Sequence, residues 1–93
     1  MARWTTVVGD GLACRGPCLL LSITMYPSGN DRYVTIYDGR DATSGKLFNL
    51  VRASGKTTRH LNFGNGIPFD RGVYIDAQTP GEQTTIVFEP LPE

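Results

Sequence analysis

Apolar and polar residues alternate along most of the chain with a period of two, the spacing of a strand with one face against a core. Arg3 to Val8, rich in β-branched and aromatic residues, is a strand that Gly9-Asp10-Gly11 ends. Pro17 to Tyr26 follows, with Leu19, Leu21, Ile23 and Met25 on one face and Ser22 and Thr24 on the other. After a Pro27-Ser28-Gly29-Asn30-Asp31 loop, Arg32 to Tyr37 sends Val34 and Ile36 one way and Tyr33, Thr35 and Tyr37 the other. Asp38-Gly39 opens a polar loop to Gly45, and Lys46 to Arg52 puts Phe48 and Leu50 on one face.

Beyond a turn at Ala53-Ser54-Gly55-Lys56, Thr57 to Phe63 turns Leu61 and Phe63 inward and Thr58, His60 and Asn62 outward. Gly64-Asn65-Gly66 is expected to turn the chain again. Ile67-Pro68-Phe69 reads as a short edge segment, since proline cannot donate to a ladder. Val73 to Ala77 and Thr84 to Phe88, separated by Thr79-Pro80-Gly81-Glu82, complete the set. No window holds apolar residues at helical spacing for three turns. The expectation is an all-β chain: one β-sandwich or jelly-roll-like barrel of about seven or eight short antiparallel strands. Its core is Leu21, Ile23, Val34, Ile36, Phe48, Leu50, Leu61, Phe63, Val73, Ile75, Ile86 and Phe88.

Length limits this to one domain over residues 1–93, with residues 1–8 as an N-terminal arm or edge strand. Eleven Gly and six Pro agree with many tight turns. A domain so small buries a modest share of its surface, so partner subunits would help it. Nine basic and nine acidic side chains cancel and are scattered, which disfavours nucleic acid as a partner. Neutrality gives little colloidal repulsion, as suits a protein that works assembled. No basic-then-apolar leader is visible, and the most apolar run, Cys18 to Ile23, is too short for a bilayer. The expectation is a soluble chain made in a cytosol, with no membrane partner.

Candidate chemistry is sparse. Cys14 and Cys18 stand four apart, roughly 13 Å in an extended strand and beyond disulfide reach, though a turn at Gly16-Pro17 could bring them together. Two small, partly buried thiols are the preferred reading. Gly55-Lys56-Thr57 matches the tail of a phosphate-binding loop, but Leu50 stands where its first glycine belongs and a strand follows instead of a helix. Asp38-Gly39-Arg40-Asp41 lacks the ligands of a calcium loop. His60, the one histidine, has polar pattern neighbours and no nucleophile elbow to serve. Asp70 and Asp76 read as a turn-former and an outward polar residue rather than a glycosidase pair. Neither catalytic residues, nor a metal set, nor a cofactor site is assigned. The outward aromatics Trp4, Tyr33, Tyr37 and Tyr74 are either a second packed face or a contact surface, since Tyr and Trp are enriched at interfaces and in sugar platforms.

The segment Tyr33-Val34-Thr35-Ile36-Tyr37-Asp38-Gly39, followed by Asn65-Gly66-Ile67-Pro68-Phe69-Asp70-Arg71-Gly72-Val73-Tyr74-Ile75-Asp76, resembles small β-sandwich proteins encoded among the virion structural genes of tailed bacteriophages. There a V-T-I/L-Y-D strand precedes a polar loop, and an I-x-F-x-x-G-L/V-Y-V/I-D segment comes later. Gly16-Pro17-Cys18-Leu19-Leu20 is similar to the start of their second strand. The matched positions are structural, Gly72 for a turn and Val73 and Ile75 for the core, so no functional residues carry over. The resemblance implies a non-enzymatic virion protein, foremost a capsid decoration (cement) protein. Its partner would be the major capsid protein or another virion protein, and it would act as a homo-oligomer, dimer or trimer. The alternative is a carbohydrate-binding or host-recognition module of a phage tail, with Trp4, Tyr33 and Tyr37 as stacking platforms. The loops at Asp38–Gly45 and Pro27–Asp31 are the expected shell-facing ones.

Overall fold

The computed structural model describes residues 2–26, 31–77 and 82–92. Every pairing among its eight strands is antiparallel, and the described residues contain no helix. The strands are β1 (Arg3–Val8), β2 (Gly11–Arg15), β3 (Cys18–Met25), β4 (Arg32–Asp38), β5 (Lys46–Ala53), β6 (Arg59–Phe69), β7 (Gly72–Ala77) and β8 (Gln83–Pro90). They form two four-stranded sheets, ordered β1-β8-β3-β6 and β2-β7-β4-β5. Every connection except β4–β5 crosses between the sheets, which is the strand order of a jelly roll. The all-β sandwich expected from the alternation is what forms.

One buried cluster fills the space between the sheets. Val34, Ile36, Val73, Ile75 and Ile86 are fully enclosed, as the alternation predicts, and Phe88 is buried with them. Phe48, Leu61 and Phe63 pack against the cluster while half-buried. Phe48 lies edge-on to Phe63 at 6.1 Å and to Phe69 at 5.2 Å, so these rings close the side of the sandwich where β5 and β6 form the edges.

Four features differ from the sequence reading, and three of them are bulges. Between Leu20 and Ser22 the β3 register slips, so Cys18 and Leu20 point inward before the slip and Ile23 and Met25 after it. Leu21, expected in the core, is the extra residue, and Leu20 takes its place. A bulged residue flips the face of everything beyond it. In β5, Phe48 is the extra residue between Leu47 and Asn49. Val51 and Ala53 are therefore the buried residues, and Leu50 is 52% exposed rather than core.

The Gly64-Asn65-Gly66 turn is a bulge inside one long strand: Ile67 pairs with Leu20 and Asn62 with Ser22, so residues 63–66 sit opposite Leu21 alone. Gly66 has φ +104°, and a Cβ there would lie 2.9 Å from the Leu19 Cβ. Pro68 does lie on an edge, since β6 flanks its sheet. The fourth difference is β2, which was not expected as a strand. It pairs with β7 through Leu12 and Tyr74, and through Cys14 and Val73. The expected loops over residues 27–30 and 79–81 lie outside the described residues.

Arg32 begins β4 pointing inward and is fully buried. Its Nη2 donates to the carbonyls of Ser54 and Thr57, both at 2.8 Å, and its Nε stands 3.9 Å from the buried Glu82 carboxylate. At the other end of the sandwich, the Asp38 carboxylate accepts from the N–H groups of Asp70 (3.1 Å) and Arg71 (2.9 Å). It therefore holds the β6–β7 turn against the β4–β5 loop. Gly72 follows at φ +142°, where a Cβ would come within 2.4 Å of the Cys14 carbonyl.

Candidate functional site

Strand register gathers three of the four aromatic candidates on one surface, the outer face of the β2-β7-β4-β5 sheet. Leu47 pairs with Tyr37, Tyr37 with Tyr74, and Tyr74 with Leu12. These side chains make an apolar row across all four strands. The neighbouring row is Leu50, Thr35 and Asp76, and beyond it Arg52 pairs with Tyr33. Leu47 (59% exposed) and Leu50 (52%) leave the edge of this face apolar and open to water. The Arg52 guanidinium lies over the Tyr33 ring, 5.6 Å from its centre, and is held there by Asp31 at 2.9 Å.

Burial, reinforced by the charges of Asp10, Asp76 and Asp41, pushes the Tyr74 phenol above its ordinary value, so it stays neutral. Burial, then the Asp10 carboxylate beside it, also raises Asp76. Trp4 is not part of this surface. It stands 70% exposed on the outer face of the opposite sheet, in register with Val87. Around it that face is largely polar. The Thr6 and Thr85 hydroxyls share a hydrogen bond of 2.8 Å, Thr85 donates to the Tyr26 hydroxyl, and the Thr24 hydroxyl meets His60 Nδ1 at 2.8 Å.

Sequence reasoning missed Leu12, Leu47 and Leu50 as surface residues. Leu12 lay in the unrecognised strand. The β5 bulge reverses the face that simple alternation assigns to Leu50, and no local residue signals that bulge; Leu47, before the bulge, keeps the outward face that alternation gives it but was not singled out.

A cleft of about 580 Å³ opens at the Asp38 end, between Gly16-Pro17, the β4–β5 loop and the β6–β7 turn. Arg40, Asp41, Ser44, Asp70 and Arg71 line it. Its groups mostly serve the loops themselves. Asp41 accepts from the Ser44 N–H at 2.7 Å and the Ser44 hydroxyl at 2.8 Å, bonds that hold its carboxyl below the usual range. Arg71 Nη1 approaches the Ser44 carbonyl at 3.5 Å.

Beside the cleft, Cys14 and Cys18 are free thiols, buried more completely than their sequence suggests. Burial raises both, and with the Cys14 thiol alongside, Cys18 is pushed up to about 12. Both therefore stay protonated at neutral pH, which makes them poor nucleophiles. Among the described residues, no three His, Cys, Asp or Glu side chains gather closely enough to hold a metal ion, and no helix is long and apolar enough to cross a membrane. His60 is bonded to Thr24 on β3, and Ser44 to Asp41 in the β4–β5 loop, so these two belong to separate local networks. Set beside models of protein families, curated proteins and solved structures, the chain matches none of them.

Proposed function

We propose that the protein is a non-enzymatic structural component of a tailed-phage virion, a decoration protein that binds the head shell and stabilises it by bridging subunits. The observation that carries this reading is the Leu47–Tyr37–Tyr74–Leu12 row with Leu50 beside it. It is a continuous apolar and aromatic strip on a sheet face that a monomeric sandwich would leave in water. Aromatic side chains at the centre of such a patch, with a charged rim formed by Arg52, Asp31 and Asp76, are the composition of a protein–protein contact. Jelly rolls serve both viral capsids and lectins, so the fold adds support only by analogy. The partner is the major capsid protein or another virion protein, on a symmetric shell that favours dimers or trimers, and the place of work is the virion.

A carbohydrate-binding role in a phage tail is the second reading. Its three platforms would have to act apart, because Trp4 lies on the other sheet and a guanidinium covers the Tyr33 ring.

The test is binding of purified protein to shells that lack it, with Tyr37→Ala and Leu47→Lys as variants. Saturable binding by the wild type, lost at least tenfold in either variant while circular dichroism is unchanged, is the expected result. No binding to any head shell would sink the proposal, and glycan binding lost in Tyr37→Ala would replace it with the second reading.

A further inference from the structure

The four edge strands of this sandwich differ in how they meet another chain. β2, β5 and β6 each carry a register shift, and β6 adds Pro68 and two left-handed glycines. Bulges and prolines of this kind keep a foreign strand from adding to an edge. β1 has none of these devices. Arg3–Val8 pairs with Phe88–Gln83 without a shift, contains neither Gly nor Pro, and has high β-propensity throughout.

The direction of its free backbone groups follows from one bond. The Gly9 N–H donates to the Glu82 carbonyl at 2.7 Å, extending the β1–β8 ladder by one pair. In an antiparallel ladder, bonded and non-bonded pairs alternate. Odd-numbered residues of β1 therefore turn their N–H and C=O groups towards β8, and Trp4, Thr6 and Val8 turn theirs to the open edge. The side chains of the same three residues stand on the outer face, where Trp4 is 70% and Val8 60% exposed.

We infer that β1 is a self-association edge, to which a second copy of the chain adds its own β1 antiparallel about a two-fold axis at Thr6. In that register Thr6 meets the partner's Thr6, Trp4 the partner's Val8, and Val8 the partner's Trp4. Each of these pairs exchanges two backbone hydrogen bonds. The two Trp–Val pairs cover the most exposed apolar side chains of this face, and aromatic with β-branched is a favourable cross-strand pair. A second copy is the occupant because the edge is a palindrome: apolar, hydroxyl, apolar, read identically in both directions from Thr6. A shift of two residues would set Trp4 against the partner's Thr6 and leave Val8 uncovered. The two β1-β8-β3-β6 sheets become one sheet of eight strands, and both apolar strips at Tyr37 and Tyr74 remain free for another partner. The inference rests on the proposed assembly role for its purpose, and on β1 alone for its geometry. A single strand pairing is a contact at the small end of specific interfaces, so the dimer depends on concentration.

The experiment is light scattering over a concentration series together with amide hydrogen exchange. The wild type is expected to rise from one-copy to two-copy mass, with exchange at Trp4, Thr6 and Val8 slowing in step. Thr6→Pro removes an N–H that the β1–β8 ladder does not use, so it should keep its circular dichroism and stay at one-copy mass. Should that variant unfold, Thr6→Cys decides: mild oxidation with oxidised glutathione should link two copies through position 6, and Thr85→Cys, one strand further in, should not. A one-copy mass throughout, fast exchange of those three amides within a dimer, or a dimeric Thr6→Pro would each overturn the inference. Protection of the three amides only on shells would give the edge to a shell strand instead. One-copy protein that binds shells leaves the proposed function standing and this inference fallen, and a β1 dimer that binds no shell does the reverse.

Discussion

Replacing Arg32 by methionine tests the physical account of the fold most directly. The guanidinium is fully buried, spans two loop carbonyls at 2.8 Å and stands 3.9 Å from a buried carboxylate. Two unit charges 4 Å apart interact by about 4 kcal/mol at an effective dielectric constant of about 20. Removing one member of a buried pair costs about 3–5 kcal/mol, chiefly because the other charge stays in the interior. A domain of this length has roughly 5–15 kcal/mol in all, so Arg32→Met should lose about a fifth of it or more. Urea unfolding followed by circular dichroism measures this. With a slope near the lower end of about 1–3 kcal/mol per M, the midpoint should fall by about 2–3 M. Glu82→Gln should also destabilise, and the double variant should lose less than the sum of the singles by at least about 1 kcal/mol. A loss below about 1 kcal/mol in Arg32→Met, or simple additivity, would refute the claim that charge pairing inside the sandwich holds β4 to the β8 side of the core.

Gly72→Ala should destabilise by more than about 1–3 kcal/mol, because its φ of +142° and the Cys14 carbonyl 2.4 Å from the new Cβ leave no place for a methyl group. An unchanged melting temperature would contradict that geometry. Asp38→Ala strips two backbone N–H groups of their acceptor and should cost about 1–2 kcal/mol, with faster amide exchange at Asp70 and Arg71 as the local sign. Native Cys14 and Cys18 should resist thiol reagents at pH 8 and react fully in urea. Cys18 also sets an alkaline limit. Both states keep its proton below the model-peptide value of 9.0; above it the unfolded chain loses that proton first. Stability should therefore fall by up to about 1.4 kcal/mol per pH unit until the folded thiol titrates near 12. Alkaline unfolding of a Cys18→Ala variant that followed the wild-type curve would speak against this.

Local alternation was enough to specify the all-β class and the strands other than β2, the inward faces of β4, β7 and β8, and the outward placing of Tyr33, Tyr37 and His60. In those strands the pleat runs unbroken, and a period of two carries all the information about which side is wet. Gly72 was legible as a turn because Asp70-Arg71-Gly72 carries turn-forming residues locally, glycine being the residue that tolerates the positive φ found there. The faces of β3 and β5 were not legible. Whether Leu20 or Leu21 enters the core depends on a bulge that exists because β6 and β8 must both keep pairing with β3. Leu50 and Val51 are exchanged for the corresponding reason across β4.

The candidate surface was half legible. Tyr37 and Tyr74 are far apart in the chain, and only the β4–β7 register makes them neighbours and adds Leu12 and Leu47 to their row. The same topology carries Trp4 to the opposite sheet. It also buries Arg32 against Glu82, two residues whose charge alone would have placed them in water. Sequence determines what each short segment can become through its own backbone and alternation. Tertiary structure decides which segments are neighbours, because pairing energies between distant strands outweigh any single residue's preference and settle where a bulge must fall.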